Sequence, residues 1–429
     1  MQNVMTTTTR VLPVLVLLGA SAPSASAQPT SDLAVLQANP AYQAALDYLD
    51  RDYDRFVREL IELTEIPAPP FAEDARAVAY MTMLQAAGLD VEQDGVGNVM
   101  GLRRGSGAGP LLAVAAHIDT VFPPETDVTV RRSGTRLEAP GIGDDTAGLA
   151  AVLAVIRALD AASLETASDI LFVGNVGEEG PGDLRGVKYL FREGAYRDRI
   201  TAFMSIESGG QSTITNGALG SRRYRVIFRG PGGHSYGAFG LVNPAFAMAG
   251  AMQRFAAIEV PEDPKTTLSV GIVRGGTSVN SIPFETSMDI DMRSESPEEL
   301  DKLVEAFLGA MDMAVDAENA TRSVSQGPIE LDLELIGDRP SGLTPASAPI
   351  MRAAVAAARA FGIESRPRTS STDANLPISL GVPAITIGLG GLGGRSHSLD
   401  EWVDVDREPT VRGLQVVLTT ILAVAGPAD

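Results

Sequence analysis

Residues 110–123, PLLAVAAHIDTVFP, place a histidine and an aspartate at the end of a continuous apolar run. Such a run is typical of a strand whose two faces are both buried, as in the sheets of α/β proteins. Open α/β sheets form their sites just beyond the carboxyl ends of the strands. The stretch therefore predicts an α/β fold in which His117 and Asp119 lie at a functional edge of the sheet.

Two further apolar runs end in acidic residues in the same way. SDILFVGNVGEE ends with Glu178 and Glu179, and FMSIESG carries Glu207 near its end. Earlier in the chain, the glycine-rich loop GIGDDTAG presents Asp144 and leads into the strong helix pattern AGLAAVLAVIRAL. Because strand and helix patterns alternate, these acids are expected at the same edge of the sheet as His117.

The pattern changes at about residue 218. SRRYRVIFRG alternates like a half-exposed strand, and roughly four strands and two helices follow before residue 335. This composition predicts a compact α+β unit, residues 218–335, inserted into a larger domain. The catalytic domain is then split into residues 28–217 and 336–429.

The chain contains three histidines: His117 at the end of an apolar run and beside Asp119, His234 in the glycine-rich GPGGHSYGAF, and His397 in the polar GRSHSLDEW. Histidine is the commonest metal ligand and the side chain best suited to proton transfer at neutral pH. An H-x-D tripeptide or a pair of adjacent glutamates is, taken alone, usually a surface feature. However, the histidines and acids of this chain follow one another in a fixed order and stand at the ends of strands, and this combination favours a metallohydrolase. Two histidines and three carboxylates suffice for two metal ions that share one carboxylate.

Composition excludes several classes of protein. The formal net charge of −20 disfavours binding to nucleic acid or to an anionic membrane surface, and a solvated acidic exterior accounts for much of it. The absence of cysteine excludes disulfides.

Residues 1–27 combine Arg10, the apolar run VLPVLVLLGA and Ala25-Ser26-Ala27, which is the pattern of a cleaved signal peptide. We therefore expect an exported protein, periplasmic or secreted, with no membrane attachment after signal cleavage.

Nine motifs follow one another along the chain: AAHIDTVFP, GIGDDTAGLAAVL, GNVGEEGPGDLRGVKYL, SIESG, GPGGHSYGAF, GTSVNSIP, MDIDMRS, STDANLP and GRSHSLDEW. In this order they resemble the co-catalytic zinc metallopeptidase family of glutamate carboxypeptidase, tripeptidase T, acetylornithine deacetylase and succinyl-diaminopimelate desuccinylase. The resemblance runs from about residue 50 to 425. It implies a zinc-peptidase-like α/β fold, a mixed sheet flanked by helices, with an inserted lid and dimerisation domain.

The resemblance also implies two divalent metal ions. Zinc is expected, while cobalt or manganese suits the same oxygen and nitrogen ligands. His117 matches a ligand of one ion and His397 a ligand of the other. Asp144 matches the carboxylate that bridges both ions, and Glu179 and Glu207 match the remaining ligands, one to each ion.

Other roles carry over in the same way. Glu178 matches the general base, and Asp119 the residue that orients the first histidine ligand. His234 matches a lid histidine that, in dimeric relatives, reaches the partner's active site and stabilises the oxyanion, so a homodimer through the lid is implied. Asn280 and Arg293 match lid residues that hold the substrate. In the family, the residue that Arg293 matches often binds the carboxylate of the substrate.

Two further expectations concern the loop that carries Asp144. The chain departs from the family at Thr146, where a lysine is usual, although that position is not a metal ligand. The resemblance also implies that the peptide bond between Asp144 and Asp145 is cis.

Together these features predict an exopeptidase or aminoacylase for short peptides or N-acyl amino acids with a free α-carboxylate. For Arg293 the alternative is a surface ion pair with Asp289 or Asp291, which contributes little. Two other functions stay open: a metal-free descendant that only binds peptides, and a hydrolase for esters or N-acyl amides. The branches of the family point to different substrates, so aminopeptidase, carboxypeptidase and deacylase activity are not distinguished.

Overall fold

The computed structural model describes residues 29–107 and 110–427. The signal peptide predicted at residues 1–27 lies outside these described residues. Within them the chain forms a mixed α/β fold, as predicted, with a large sheet flanked by helices. None of the described helices is both long and apolar enough to cross a membrane.

The described residues form eleven α-helices and a short 3₁₀ turn at Gly180–Gly182. The helices are α1 (Pro29–Ala38), α2 (Pro40–Arg51), α3 (Tyr53–Thr64), α4 (Asp74–Ala86), α5 (Thr146–Ala161), α6 (Arg185–Arg192), α7 (Pro244–Ala256), α8 (Pro297–Thr321), α9 (Pro349–Ala360), α10 (Asn375–Ser379) and α11 (Arg407–Ala425).

Nineteen strands occur in the same part of the chain. They are β1 (Val91–Gln93), β2 (Val99–Arg103), β3 (Leu111–His117), β4 (Arg131–Ser133), β5 (Arg136–Glu138), β6 (Asp169–Asn175), β7 (Ile200–Glu207), β8 (Thr213–Ala218), β9 (Gly220–Arg229), β10 (Gly233–His234), β11 (Thr266–Gly275), β12 (Ser281–Ile282), β13 (Glu285–Ser294), β14 (Glu330–Arg339), β15 (Gly342–Leu343), β16 (Arg366–Ser370), β17 (Ala384–Gly388), β18 (Leu392–Gly394) and β19 (Trp402–Asp404).

The large sheet has nine strands, in the order β1-β2-β6-β3-β7-β17-β8-β15 with β16 beside β8. β6, β3, β7 and β17 run parallel, so their carboxyl ends lie at one edge. His117 of β3 lies opposite Asn175 of β6, and Glu207 of β7 lies opposite Gly388 of β17. The polar ends of the apolar runs therefore meet at one edge of the sheet.

Helices cover both faces of the large sheet, which explains the apolar character of β3. All seven residues of β3 are buried. Its even-numbered residues, such as Val114, belong to a core with α2, α3, α5 and α11, whereas its odd-numbered apolar residues, such as Ala113, pack with α6 and α10. Burial of each larger aliphatic side chain contributes about 1.5–3 kcal/mol. The apolar C-terminal segment forms α11 in this core.

A second, antiparallel sheet has the order β11-β13-β9-β14. Helices α7 and α8 cover one of its faces around Phe228, Met288 and Phe307. The other face carries rows of paired arginine and acidic side chains. This content agrees with the four strands and two helices expected in the insert, which we call the lid. The domain boundaries stay a prediction, and β14 continues to Arg339.

Candidate active site

A cleft of about 580 Å³ opens at the carboxyl ends of β3, β6 and β7. Strand β3 delivers His117, β7 delivers Glu207, and the segment after β6 delivers two glutamates. The cleft is lined by all five predicted metal ligands, by the predicted base and by one predicted substrate residue: His117, Asp144, Glu179, Glu207, His397, Glu178 and Arg293. The fold thus gathers residues that lie far apart in the sequence.

Asp144 lies between the two histidines of the cleft. Its Oδ1 atom is 3.0 Å from Nε2 of His117, and its Oδ2 atom is 3.2 Å from Nε2 of His397. His397 Nε2 is also 2.8 Å from Oε1 of Glu179. Ligand atoms of His117, Asp144 and Glu179 all lie within 4.8 Å of one another. One carboxylate therefore contacts both imidazoles, which is the arrangement expected of a bridging ligand.

The charges in the cleft fit a site for cations. Burial and then the charges of Asp144 and Glu178 raise the pKa of Glu207 well above its usual value. Burial also raises the pKa of Glu179. The pKa of His397 is raised to about 10 by its hydrogen bonds to Asp144 and then Glu179. Buried carboxylates normally require compensation by a cation or a proton. The imidazole and carboxylate donors match what zinc, cobalt or manganese binds.

Asp119 supports this centre from behind. Its carboxylate accepts the backbone N–H groups of Glu178 at 3.0 Å and of Glu179 at 2.8 Å. The Nδ1 atom of His117 is 3.0 Å from the carbonyl oxygen of Asp119 but 3.7 Å from its carboxylate. With Nδ1 as donor to that carbonyl, Nε2 is the nitrogen that faces Asp144. The carboxylate thus holds the loop of the two glutamates, and the backbone orients the imidazole.

The loop before α5 holds Asp144 through several contacts. The peptide bond between Asp144 and Asp145 is cis, as predicted. Asp145 accepts the backbone N–H of His117 at 3.1 Å and that of Gly148 at 3.2 Å, so it also caps α5. Thr146, which stands where a lysine was expected, is fully buried, and its hydroxyl lies 2.9 Å from the carbonyl oxygen of Gly141. Thr146 is therefore part of the loop's internal bonding.

Arg339 was not among the residues predicted from the sequence. It is buried, and its Nη1 atom donates to Oε1 of Glu178 at 2.9 Å and to Oγ of Ser371 at 3.1 Å. Its Nη2 atom donates to the carbonyl oxygen of Glu178. The guanidinium fork thus holds both the side chain and the backbone of the predicted base. Its own segment at the end of β14 carries no signal for this contact, because Glu178 lies 161 positions away in the chain.

Arg293 forms the ion pair that was the alternative for it, and it also lines the cleft, while its binding of a substrate carboxylate stays a prediction. Its Nε atom donates to Oδ2 of Asp291 at 2.6 Å, and Asp291 also accepts from Arg223 at 2.9 Å. Both arginines nevertheless line the cleft, and the Arg293 side chain is 34% exposed. The lid side of the cleft is therefore rich in guanidinium groups, including Arg223, which the sequence analysis also missed.

His234 and Asn280 lie together on the lid but do not line the cleft of the same chain. Strand β10, which contains His234, pairs with β12, and the backbone N–H of Ser235 donates to the carbonyl oxygen of Asn280 at 2.9 Å. Nδ1 of His234 is 3.2 Å from the backbone nitrogen of Tyr236. The action of His234 in a partner's site and the binding of substrate by Asn280 both stay predictions.

Asp373 belongs to the STDANLP motif, to which the sequence analysis assigned no role. It is 1% exposed, and its Oδ2 atom accepts from Nδ2 of Asn175 at 2.8 Å. Burial, followed by the charge of Glu178, raises its pKa to about 7. Asp373 therefore adds another carboxyl group beneath the cleft.

Comparison with known proteins agrees with this geometry. Residues 113–423 match the model of peptidase family M20/M25/M40. The uncharacterised protein YqjE of Bacillus subtilis is 26% identical over 356 residues, which cover 78% of this chain and 90% of that protein.

Two solved structures share the fold. Aminopeptidase PepT of Bacillus cereus superposes with a TM-score of 0.69 at 22% identity, covering 87% of this chain and 99% of that one. The YXEP protein of Bacillus subtilis, described as a dinuclear metal-binding peptidase, superposes with a TM-score of 0.62 at 16% identity, covering 87% and 99%.

Proposed function

This chain belongs to peptidase family M20/M25/M40, and on that premise we propose that it hydrolyses the amide bonds of short peptides or N-acyl amino acids. Membership makes it a hydrolase that acts on carbon–nitrogen bonds. The observation that carries the proposal is the convergence of His117, Asp144, Glu179 and His397 beside Glu178 in one cleft. That cleft combines candidate metal ligands with a carboxylate placed for proton transfer.

The five ligand candidates, His117, Asp144, Glu179, Glu207 and His397, would hold two divalent ions, with zinc as the expected metal. When bound, such ions polarise a scissile carbonyl and make water more acidic. The contacts of Asp144 with both histidines support this assignment.

Glu178 is the proposed general base. Its carboxylate takes a proton from the attacking water as the water oxygen bonds to the scissile carbon, and then passes that proton to the leaving nitrogen as the carbon–nitrogen bond breaks. Arg339 holds this carboxylate at 2.9 Å and limits its orientation. Asp119 fixes the backbone of the same residue, so the base is held from two sides.

Arg293 is the proposed recognition group for a free substrate carboxylate. Guanidinium groups bind carboxylates in a bidentate geometry. Because Asp291 already pairs with Arg293 and Arg223, it positions both guanidinium groups at the wall of the cleft. A substrate carboxylate would meet Arg293 at its exposed side. An exopeptidase and an aminoacylase would both use this contact between Arg293 and the substrate carboxylate.

We also propose that the enzyme is a homodimer through the lid. Tyr236 is 89% exposed and Phe239 85% exposed, and Val279 lies fully open beside Asn280. Grouped exposed apolar side chains mark interaction surfaces. A partner's lid would cover them and bring His234 to the second cleft, where it would stabilise the oxyanion. The proposed export of the protein rests on the pattern of residues 1–27.

The function is tested by incubating the purified protein with dipeptides, tripeptides, N-acyl amino acids and matched esters. We expect amide cleavage that a chelator abolishes. Tight binding of peptides without turnover, even after zinc, cobalt or manganese is added, would instead establish a binding protein. Preferential cleavage of the esters would contradict the amide assignment.

A further inference from the structure

Glu401 connects the segment that carries His397 to the loop that carries Asp144. It belongs to the motif GRSHSLDEW, but neither the roles assigned to the sequence motifs nor the proposed mechanism uses it. It follows His397 closely in the chain, and its side chain is almost wholly buried, at 1% exposure. It does not line the cleft. Its carboxylate therefore acts on protein groups.

The carboxylate of Glu401 accepts three backbone hydrogen bonds from the loop that carries Asp144. Oε1 accepts the N–H groups of Gly143 and Asp144, both at 2.9 Å, and Oε2 accepts that of Gly141 at 3.0 Å. The carbonyl oxygen of Glu401 accepts the N–H of Ala139 at 3.0 Å. One residue thus holds the loop by its side chain and its backbone.

The fit between Glu401 and the loop is close. A Cβ atom at Gly143 would lie 2.9 Å from Oε1 of Glu401 and 3.2 Å from Oγ of Ser208. Gly143 is not among the glycines with positive φ, so the need for glycine there comes from this contact and not from the backbone angle. The segment between the histidine and Glu401 is itself closed, because the N–H of Glu401 donates to the carbonyl of Ser398 at 3.1 Å.

These contacts fix two ligand candidates relative to each other. The N–H of Asp144 is bonded to Glu401, while the carboxylate of Asp144 meets Nε2 of His397 at 3.2 Å. Asp144 therefore contacts both His397 and Glu401, and these two residues belong to the same short segment of the chain. Groups that orient metal ligands in this way influence metal affinity by about 10- to 100-fold.

We propose that Glu401 is a positioning residue that holds Asp144 and His397 in the relative placement needed for metal binding. This inference rests on the proposed function, since it requires that the cleft binds metal. Both oxygens of the carboxylate accept hydrogen bonds, so the side chain suits a loop that presents three N–H donors. Glutamine, the side chain of equal length, has one oxygen and one N–H₂ group.

The test uses Glu401→Gln in the full chain, with Zn²⁺ alone as the probe. Glutamine keeps one oxygen for Gly143 and Asp144 but turns an N–H₂ group towards the N–H of Gly141. We expect Zn²⁺ affinity, measured by competition with a chromogenic chelator, to fall about 10- to 100-fold. Glu59→Gln is the matched control, because Glu59 is also a buried carboxylate but pairs with Arg157 away from the cleft. Its Zn²⁺ affinity should equal that of the wild type.

A second variant, Gly143→Ala, attacks the same contact from the loop and leaves Glu401 in place. It should weaken Zn²⁺ binding similarly, and the double variant should lose less than the product of the two effects, since both remove one interaction. Wild-type Zn²⁺ affinity in whichever of these variants folds, or fully multiplicative losses, would overturn the role of Glu401. Failure of the wild type itself to bind Zn²⁺, Co²⁺ or Mn²⁺ would overturn the proposed function, and this inference with it.

Discussion

At the scale of single residues, the proposed chemistry depends most on Glu178. Glu178→Gln removes the basic oxygen but keeps the shape and the neighbours of the side chain. We expect turnover to fall by about 10²- to 10⁴-fold, because general-base catalysis contributes that much. Metal content, measured on the same preparation, should be unchanged, since Glu178 is not a proposed ligand. Near-normal turnover in this variant would remove Glu178 from the role of base.

Arg293 offers a second test at this scale. Loss of a charged hydrogen-bonding group should lower kcat/KM for a free dipeptide by about 10- to 100-fold in Arg293→Ala. The C-terminal amide of the same dipeptide should be cleaved slowly by the wild type and should be little affected by the substitution. Arg274→Ala is the control, because Arg274 pairs with Asp289 at 3.1 Å but does not line the cleft. Equal rates for acid and amide in the wild type would contradict the carboxylate contact.

A site residue could be predicted when the sequence pattern around it indicates its place in the fold. His117 and Glu207 stand at the ends of apolar runs, so local pattern alone places them at the sheet edge. Arg339 reaches Glu178 across 161 positions of the chain, and nothing in its own segment indicates that contact. Likewise, the H-x-D motif suggests that Asp119 bonds His117, whereas its carboxylate accepts two backbone N–H groups from the loop after β6 and lies 3.7 Å from Nδ1 of His117.

At the scale of secondary-structure elements, helices α3 and α5 are joined by a buried ion-pair network. Arg157 of α5 is 5% exposed and lies 2.7 Å from Asp52 and 2.9 Å from Glu59. Arg157→Ala would leave two carboxylates in a buried environment without their cation. We expect the free energy of unfolding to fall by about 3–5 kcal/mol, measured by urea denaturation.

The control for this prediction is an ion pair at the surface. Arg359 and Glu364 lie 3.2 Å apart and are both exposed, so Arg359→Ala should leave the urea midpoint close to that of the wild type. Equal effects of the two substitutions would show that the Arg157 network contributes no more than a surface pair.

The elements themselves were largely predictable. The length of the apolar run distinguishes β3 from α5. β3 is a short, wholly apolar run, whereas α5 is a long run that follows a glycine-rich loop. The short strands β10 and β12 carry too few residues for any pattern, and they form only where the lid folds His234 back beside Ser281. Their pairing is a consequence of tertiary structure.

At the scale of the whole molecule, the alternation of apolar and polar residues changes at about residue 218, and this change indicated the insert. The sequence could not show how closely the insert contacts the rest of the chain. Arg339 and Asp338 at the end of β14 bond with Glu178 and Asp183, which follow β6 of the large sheet. Such contacts depend on the packing of the two sheets, which no local pattern encodes.

The lid dimer is the main prediction at this scale. Phe239→Lys places a charge in the exposed apolar group, so it should shift the protein from dimer to monomer in sedimentation experiments and reduce turnover, because His234 would no longer reach a partner. Leu380→Lys is the control, since Leu380 is also exposed, at 50%, but lies outside the lid. A wild-type protein that is monomeric and fully active would refute both the dimer and the action of His234 in trans.

The most direct test of the whole account is the metal content of protein purified without added metal. Elemental analysis should find about two divalent ions per chain, consistent with a shared carboxylate between two ions. Removal with a chelator should abolish amide hydrolysis, and addition of zinc, cobalt or manganese should restore it. Fewer than about one ion per chain, with no recovery of activity on adding any of these metals, would contradict the two-metal site.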